Sequence, residues 1–487
     1  MKPVLFSVLF LMFLAKGSAQ GITARLLDAE TGDPIPFATV VTGPDRGTIT
    51  NEEGYLNLEL HSGHEATVVR LSCMGYETLE LDLKTLAESK IIRLQPAPIA
   101  LNEVRLGGGI PEAEEIIRQV RANLGRNYPK NGSYELFYRE SDFMQWDQLE
   151  LELEKASDLR WRELEEAQDN LKAFSDYIRS SQAVKFLDFN GRFQIQRDSS
   201  FLQADRVTEL LDAKKDFSME NLQARAQKII LSHLDSTRTY KVKTGLFTVE
   251  DSVSMKGEFR EGPSRDSIAV ASLKGKVSEV LSVAGLEEGG RLFEFLDGES
   301  YRYDFLKPTY FDGNYVYAVG FRPGKRRSKF SGTLYIDATT YAVLKAEYRY
   351  AEGRRGEKVN LRLLLGVKYL ENRDRGTVVF RRGETGKYHP YYIHKEYGNY
   401  VYIHRNFKFI ENSPSRKKVK FDFLMEGGVR AKGSLLLRPV SPDATGILAA
   451  TPEKVKIRKL ERYQPTIWQD TEVIAPLEEM LNFKVTN

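Results

Sequence analysis

Tyr55-Leu56-Asn57-Leu58-Glu59-Leu60 alternates polar and apolar side chains without a break. Successive side chains on a strand point to opposite faces, so Leu56, Leu58 and Leu60 share one face while Asn57 and Glu59 face water. Short strand-like stretches of this kind recur at 22–27, 37–41, 48–50, 66–72, 77–83 and 91–94. Turn-forming residues separate them at Thr31-Gly32-Asp33-Pro34, at 43–47 and at Asn51-Glu52-Glu53-Gly54. About seven short strands between residues 21 and 95 predict a small antiparallel β-sandwich.

Three segments in order carry a resemblance. They are residues 28–40 (Asp-Ala-Glu-Thr-Gly-Asp-Pro-Ile-Pro-Phe-Ala-Thr-Val), 47–56 (Gly-Thr-Ile-Thr-Asn-Glu-Glu-Gly-Tyr-Leu) and 72–77 (Ser-Cys-Met-Gly-Tyr-Glu). Together they resemble the carboxypeptidase-regulatory-like domain, a transthyretin-like sandwich. Leu101-Asn102-Glu103-Val104 is similar to the short tail that follows this domain in exported outer-membrane proteins. The resemblance implies a structural or interaction module of the Gram-negative envelope, found ahead of TonB-dependent transporters and of soluble envelope proteins. It implies no catalytic residues. A zinc carboxypeptidase requires His-x-x-Glu and a distant His, and His-x-x-Glu occurs nowhere in this sequence. A carboxypeptidase label would reflect the regulatory-like domain alone.

Lys2, the apolar run 4–14 and Gly17-Ser18-Ala19 read as a secretory signal peptide over 1–19, too short for a membrane-spanning helix. The mature protein is expected to begin near Gln20, exported and associated with the periplasm or the outer membrane. No later apolar run reaches about 18 residues, so no transmembrane helix is expected in the mature chain. Charged stretches such as 381–387 argue against a membrane-spanning barrel. Lys and Arg number 71 against 68 Asp and Glu, a net of +3, which leaves no electrostatic footprint for nucleic acid. The basic runs 324–329 and 416–418 read as solvated hairpin tips. Cys73 is the only cysteine, so stability must come from buried apolar area, and Cys73 itself reads as a buried core residue. With 487 residues, two or more domains are expected.

After the sandwich (20–96), Pro96-Ala97-Pro98 and Gly107-Gly108-Gly109 mark a linker over 97–110. Residues 111–238 read as a helical region with an inserted strand. Its helices are expected at 112–127, at 147–174 on near-heptad Leu149, Leu153, Ala156, Leu164, Ala167, Leu171 and Phe174, and at 219–234. Asn127-Tyr128-Pro129 and the strand-like 134–140 are similar to the segment after the sandwich in uncharacterised exported proteins. Residues 239–440 read as an antiparallel β-rich domain, and 441–487 as a C-terminal tail. Within the β-rich domain, 332–347 is similar to a hairpin of lipoprotein-carrier-like half barrels, and 361–369 reads as a strand carrying Leu361, Leu363, Leu364 and Leu365. The fold class expected is mainly β with helices: a seven-stranded sandwich, then a larger α+β domain on a curved antiparallel sheet. The concave face of that sheet either holds an apolar ligand or is filled by the helices.

Chemistry is sparse. His61, His64 and Glu65 share a polar loop. His389, His394 and His404 lie among tyrosines, and Tyr400, Tyr402 and His404 share one strand face. That face is the candidate ligand surface, a sugar-stacking surface or a polar cavity wall, with core and cross-strand packing as the default reading. No Gly-x-Ser-x-Gly or Walker A motif occurs. No catalytic residue, metal ligand or cofactor is assigned. Two functions stay open. One is a non-enzymatic exported envelope protein whose β-rich domain binds an envelope protein, a lipid or a glycan. The other is a hydrolase or carbohydrate-active protein with a site in that domain.

Overall fold

A computed structural model describes residues 21–43, 46–59, 67–97, 111–180, 183–196, 199–212, 237–244, 266–440, 452–469 and 471–485, and the backbone of 247–254. The expected signal peptide, His61, His64, Glu65, the triple glycine and the 219–234 helix lie outside these residues. The protein is mainly β with interspersed helices. Strands are numbered along the chain from β1 (Ile22–Asp28) to β23 (Lys454–Leu460), and helices from α1 (Leu83–Glu88) to α7 (Glu478–Leu481). Two compact units form. The first takes the described residues up to 97 together with 309–315 and 464–478; the second takes the remainder.

In the first unit, β4 (Tyr55–Leu58), β1 and β7 (Ile91–Leu94) form one sheet, and β3 (Arg46–Ile49), β2 (Thr39–Gly43), β5 (Val68–Ser72) and β6 (Leu79–Asp82) form another. Alternation decides what lies between them. Ile22, Ala24, Leu26, Leu56 and Leu58 from one sheet meet Val40, Val69 and Leu71 from the other in a single buried cluster. Each such leucine or valine contributes roughly 1.5–3 kcal/mol through burial. Cys73 is buried in the same cluster as a free thiol. The motif residues serve turns. Asp28 Oδ1 accepts hydrogen bonds from the backbone N–H groups of Glu30 and Thr31, and Oδ2 accepts one from the Tyr76 hydroxyl, which together hold its carboxyl below the usual range. Asn51 Oδ1 accepts from the N–H groups of Glu53 and Tyr55. Residues 464–478 complete the unit: Thr48 Oγ1 donates to the Val473 carbonyl and Asn51 Nδ2 to that of Pro476. The expected C-terminal tail is therefore corrected. Its residues finish this unit and also supply β23.

The second unit is built on one large curved sheet whose path runs β13-β23-β10-β9-β8-β22-β21-β20-β18-β17-β16-β14, from β13 (Ser267–Ala269) at one edge to β14 (Tyr301–Phe305) at the other. Neighbours are antiparallel except β10 (Ser199–Leu211) and β23, which run parallel. The region 111–238 departs from the helical expectation, because β8 (Gly132–Ala156), β9 (Ala183–Gln196) and β10 lie near the middle of this path. The expected helix over 147–174 is a strand up to Ala156 and a helix, α3, over Trp161–Ser180. The physical reason lies in Leu149-Glu150-Leu151-Glu152-Leu153-Glu154. Its leucines are 0–6% exposed and its glutamates are solvent-facing, a period of two that pairing with β22 (Lys418–Pro439) makes decisive. The expected strand 361–369 is also corrected. β19 (Lys358–Leu361) ends in one helical turn, α6 (Arg362–Leu365), and Gly366 at φ +62° reverses the chain into β20 (Val367–Arg382). Leu363 and Leu364 consequently stand in solvent instead of under the sheet.

Other expectations hold. α2 (Ala113–Asn127) buries Ile116, Ile117 and Val120. Tyr128 just beyond it donates its hydroxyl to the Val343 carbonyl and accepts from the Val343 N–H. β17 (Phe330–Asp337) and β18 (Val343–Tyr350) form the hairpin, with Asp337 Oδ1 accepting from the N–H groups of Thr339 and Thr340 at its turn. The basic runs 324–329 and 416–418 sit at or beside the turns joining β16 (Asn314–Pro323) to β17 and β21 (Tyr388–Glu411) to β22.

Candidate functional site

The middle of the sheet has two unlike faces. Against one, α4 (Val270–Leu281) packs on β21 and β22, and Phe295 of α5 (Arg291–Phe295) stacks on Phe321 with a centroid distance of 4.5 Å. Further along this face Val401, Ile403, Phe423 and Met425 pack with Trp146, Leu149 and Ile178. The apolar side that a half-barrel ligand would need is thus occupied by the protein's own side chains.

The opposite face of β20, β21 and β22 carries polar residues in register. On β21, Glu396, Gly398, Tyr400, Tyr402 and His404 follow at every second position, a stripe of roughly 27 Å. Tyr400, Tyr402 and His404 therefore do share a face, and each is engaged. Lys368 Nζ lies 4.6 Å from the Tyr400 ring centroid, and the Arg362 guanidinium lies 4.1 Å from that of Tyr402. The Tyr400 hydroxyl donates to Glu426, and burial followed by that bond pushes its pKa up to about 12. His404 Nε2 is 3.0 Å from Asp422 Oδ2. The two rings hold cations.

At the other end of the stripe lies an arrangement the sequence did not reveal. Glu396 faces Arg375 on β20 and Lys432 on β22, and Arg373 and Arg430 flank Gly398. Glu396 Oε1 accepts from Arg373 Nη1 at 2.8 Å and from Arg430 Nε at 2.5 Å, while Oε2 accepts from Arg375 Nε at 2.5 Å. The carboxylate side chain is 0% exposed, whereas the three arginines are 43–49% exposed. Burial alone would raise the Glu396 pKa; the bonds and charges of Arg430 and Arg375 outweigh it and bring the value down to about 2. The signal was divided between two places. Arg373 and Arg375 show period-two spacing in the sequence, but only strand register brings Arg430 and Glu396 to them.

Several other titratable groups in this unit have side-chain partners of their own. His394 Nδ1 is 2.9 Å from Ser434 Oγ, and His389 Nδ1 is 3.2 Å from the Tyr134 hydroxyl. Arg139 and Asp188 form a buried ion pair at 2.6 Å. Asp142 is pushed up to about 7 by burial and by neighbouring Glu140, whose carboxylate Lys276 holds at 2.6 Å. Among the described residues no group of three His, Cys, Asp or Glu side chains could hold a metal ion. A cleft of about 500 Å³ opens elsewhere, lined by residues that include Asn131, Ser133, Gln194, Ile195, Ser199 and Phe201.

The first unit, two small sheets around one core with a turn-forming Asp, Asn and Gly at fixed places, is a regulatory-type sandwich. The CarboxypepD_reg-like domain family matches residues 22–106, so this segment of the chain carries that domain. No curated protein matches the chain. Among the described residues no helix is long and apolar enough to cross a membrane.

Proposed function

We propose that the chain is a non-enzymatic exported protein of the bacterial cell envelope. The regulatory-like sandwich acts as its structural or interaction module, and the large sheet presents a binding surface to an envelope protein or glycan. The observation that carries this reading is the pairing of polar groups in the second unit. In that unit His389, His394, His404, Asp188, Glu140 and Glu396 each meet a neighbouring side chain, and the described residues that line the 500 Å³ cleft include no titratable side chain. A hydrolase would need carboxylates or histidines converging on a cleft. An apolar ligand is the weaker form of the reading, since helices fill the apolar face of the sheet.

The test is recovery of the untreated protein from its own envelope, with fractionation, crosslinking and mass spectrometry of what accompanies it. A specific envelope protein or glycan at stoichiometric yield supports the reading. Retention of the whole chain, Met1 included, in the cytoplasm would overturn its location, and turnover of a glycosidic or peptide substrate abolished by altering Asp142 would overturn its non-enzymatic character.

A further inference from the structure

We propose that Arg373, Arg375 and Arg430 form a binding site for a phosphate-bearing ligand. Three guanidiniums converge on a single carboxylate, so three positive charges meet one negative charge, and the excess lies at the surface. A guanidinium offers five N–H donors in a planar fork suited to phosphate oxygens. Glu396 takes one donor from Arg373 and one from Arg430. It leaves most of their donors over on side chains that are 45% and 43% exposed.

Glu396 gives the site its stiffness. Buried and ionised, it holds the three arginines together before any ligand arrives, which lowers the ordering cost of binding. It also sets selectivity by charge. A phosphodiester monoanion offsets one of the two positive charges left over and a dianionic phosphate offsets both, so affinity should rise with ligand charge. Lys432 stands opposite Glu396 on β22, with its Nζ 5.3 Å from the Phe143 ring centroid, and extends the positive edge. Further along the same face β8 carries Glu150, Glu152 and Glu154, all exposed. Acidic residues thus accompany the cations at the far end, Arg362 and Lys368, and the excess of positive charge lies at the Arg373 end, which suits a discrete phosphate group better than a broad anionic surface. This goes beyond the envelope reading and does not depend on where the protein resides.

Titrating the full chain with inorganic pyrophosphate by calorimetry, in low and moderate salt, tests the site. Flotation with phosphatidylglycerol and phosphatidylcholine vesicles runs beside it. Saturable pyrophosphate binding is expected, weakened by salt. Arg373→Gln combined with Arg375→Gln should weaken it roughly tenfold or more. Glu396→Gln keeps all three guanidiniums and one carbonyl acceptor between them; removing the opposing charge outweighs the looser arginines, so binding should tighten. Unfolding cannot produce effects of opposite sign. Pyrophosphate binding without vesicle binding assigns a soluble phosphate ester, and binding to phosphatidylglycerol but not phosphatidylcholine assigns a lipid headgroup; both support the site. Failure of both probes to bind, equal binding to neutral vesicles, or affinities unchanged in both variants would overturn it.

Discussion

Val280 of α4 occupies the space above Gly433 of β22: a Cβ added at Gly433 would lie 2.8 Å from Val280 Cγ2. The helix approaches the sheet as closely as it does because this position has no side chain. Gly433→Val should therefore cost about 1–3 kcal/mol through overpacking. Adding Val280→Ala should recover part of the loss. Thermal melts of the two single variants and the double variant check this, and strict additivity would mean that the two positions do not share the space.

Gly54 sits at φ +79°, and a Cβ there would come within 2.7 Å of the Leu26 carbonyl oxygen. Gly54→Val should lower stability by about 1 kcal/mol or more. Denaturant melts belong on the full chain, because 464–478 supplies hydrogen-bond acceptors to this unit. An unchanged midpoint would refute the strain at the turn.

Glu396 has a folded pKa of about 2 against an ordinary value of 4.5. The unfolded chain therefore binds the proton more readily, and stability from this group is fully present above about pH 4.5 and lost as pH falls toward 2. Its upper bound is roughly 3 kcal/mol, reduced by solvent screening of the half-exposed arginines. Glu396→Gln should flatten the acid limb of the stability curve between pH 4.5 and 2. Asp142 works in the opposite sense. Its raised pKa favours the protonated fold, so its contribution declines as pH rises from the ordinary carboxylate range through about 7. Unfolding curves taken across that range for Glu396→Gln and for Asp142→Asn separate the two.

Leu363 and Leu364 are 101% and 81% exposed. Replacing both with Ser should leave stability within about 0.5 kcal/mol, as for surface positions generally. Had they lain under the sheet, the loss would be several times larger. A urea midpoint decides between these outcomes.

Legibility in the sequence tracks how local each signal is. The sandwich was readable because its strands alternate cleanly and its turns carry Asp28, Asn51 and Gly54, each acting within a few residues of itself. The Asp337 hairpin was readable for the same reason. Residues 149–154 satisfied both a two-residue and a near-heptad pattern, and β22, about 270 residues away, decided between them. Leu361 to Leu365 looked like a strand until Gly366 turned the chain. The shared face of Tyr400, Tyr402 and His404 was legible from strand periodicity. The cations over the two rings and the arginines around Glu396 depend on register between separate strands, which no single segment encodes.

The hydrogen bond from Thr48 to Val473 joins residues 425 positions apart. An N-terminal domain usually folds as it emerges from the ribosome, before the downstream residues have been made. Here the sandwich can gather its core early but must wait for several hundred further residues before its last acceptors arrive. Completion of the first-made unit therefore reports synthesis through Pro476. A product truncated before that point would carry a sandwich with Thr48 and Asn51 missing these partners, a defect that quality control could read far along the chain from the break.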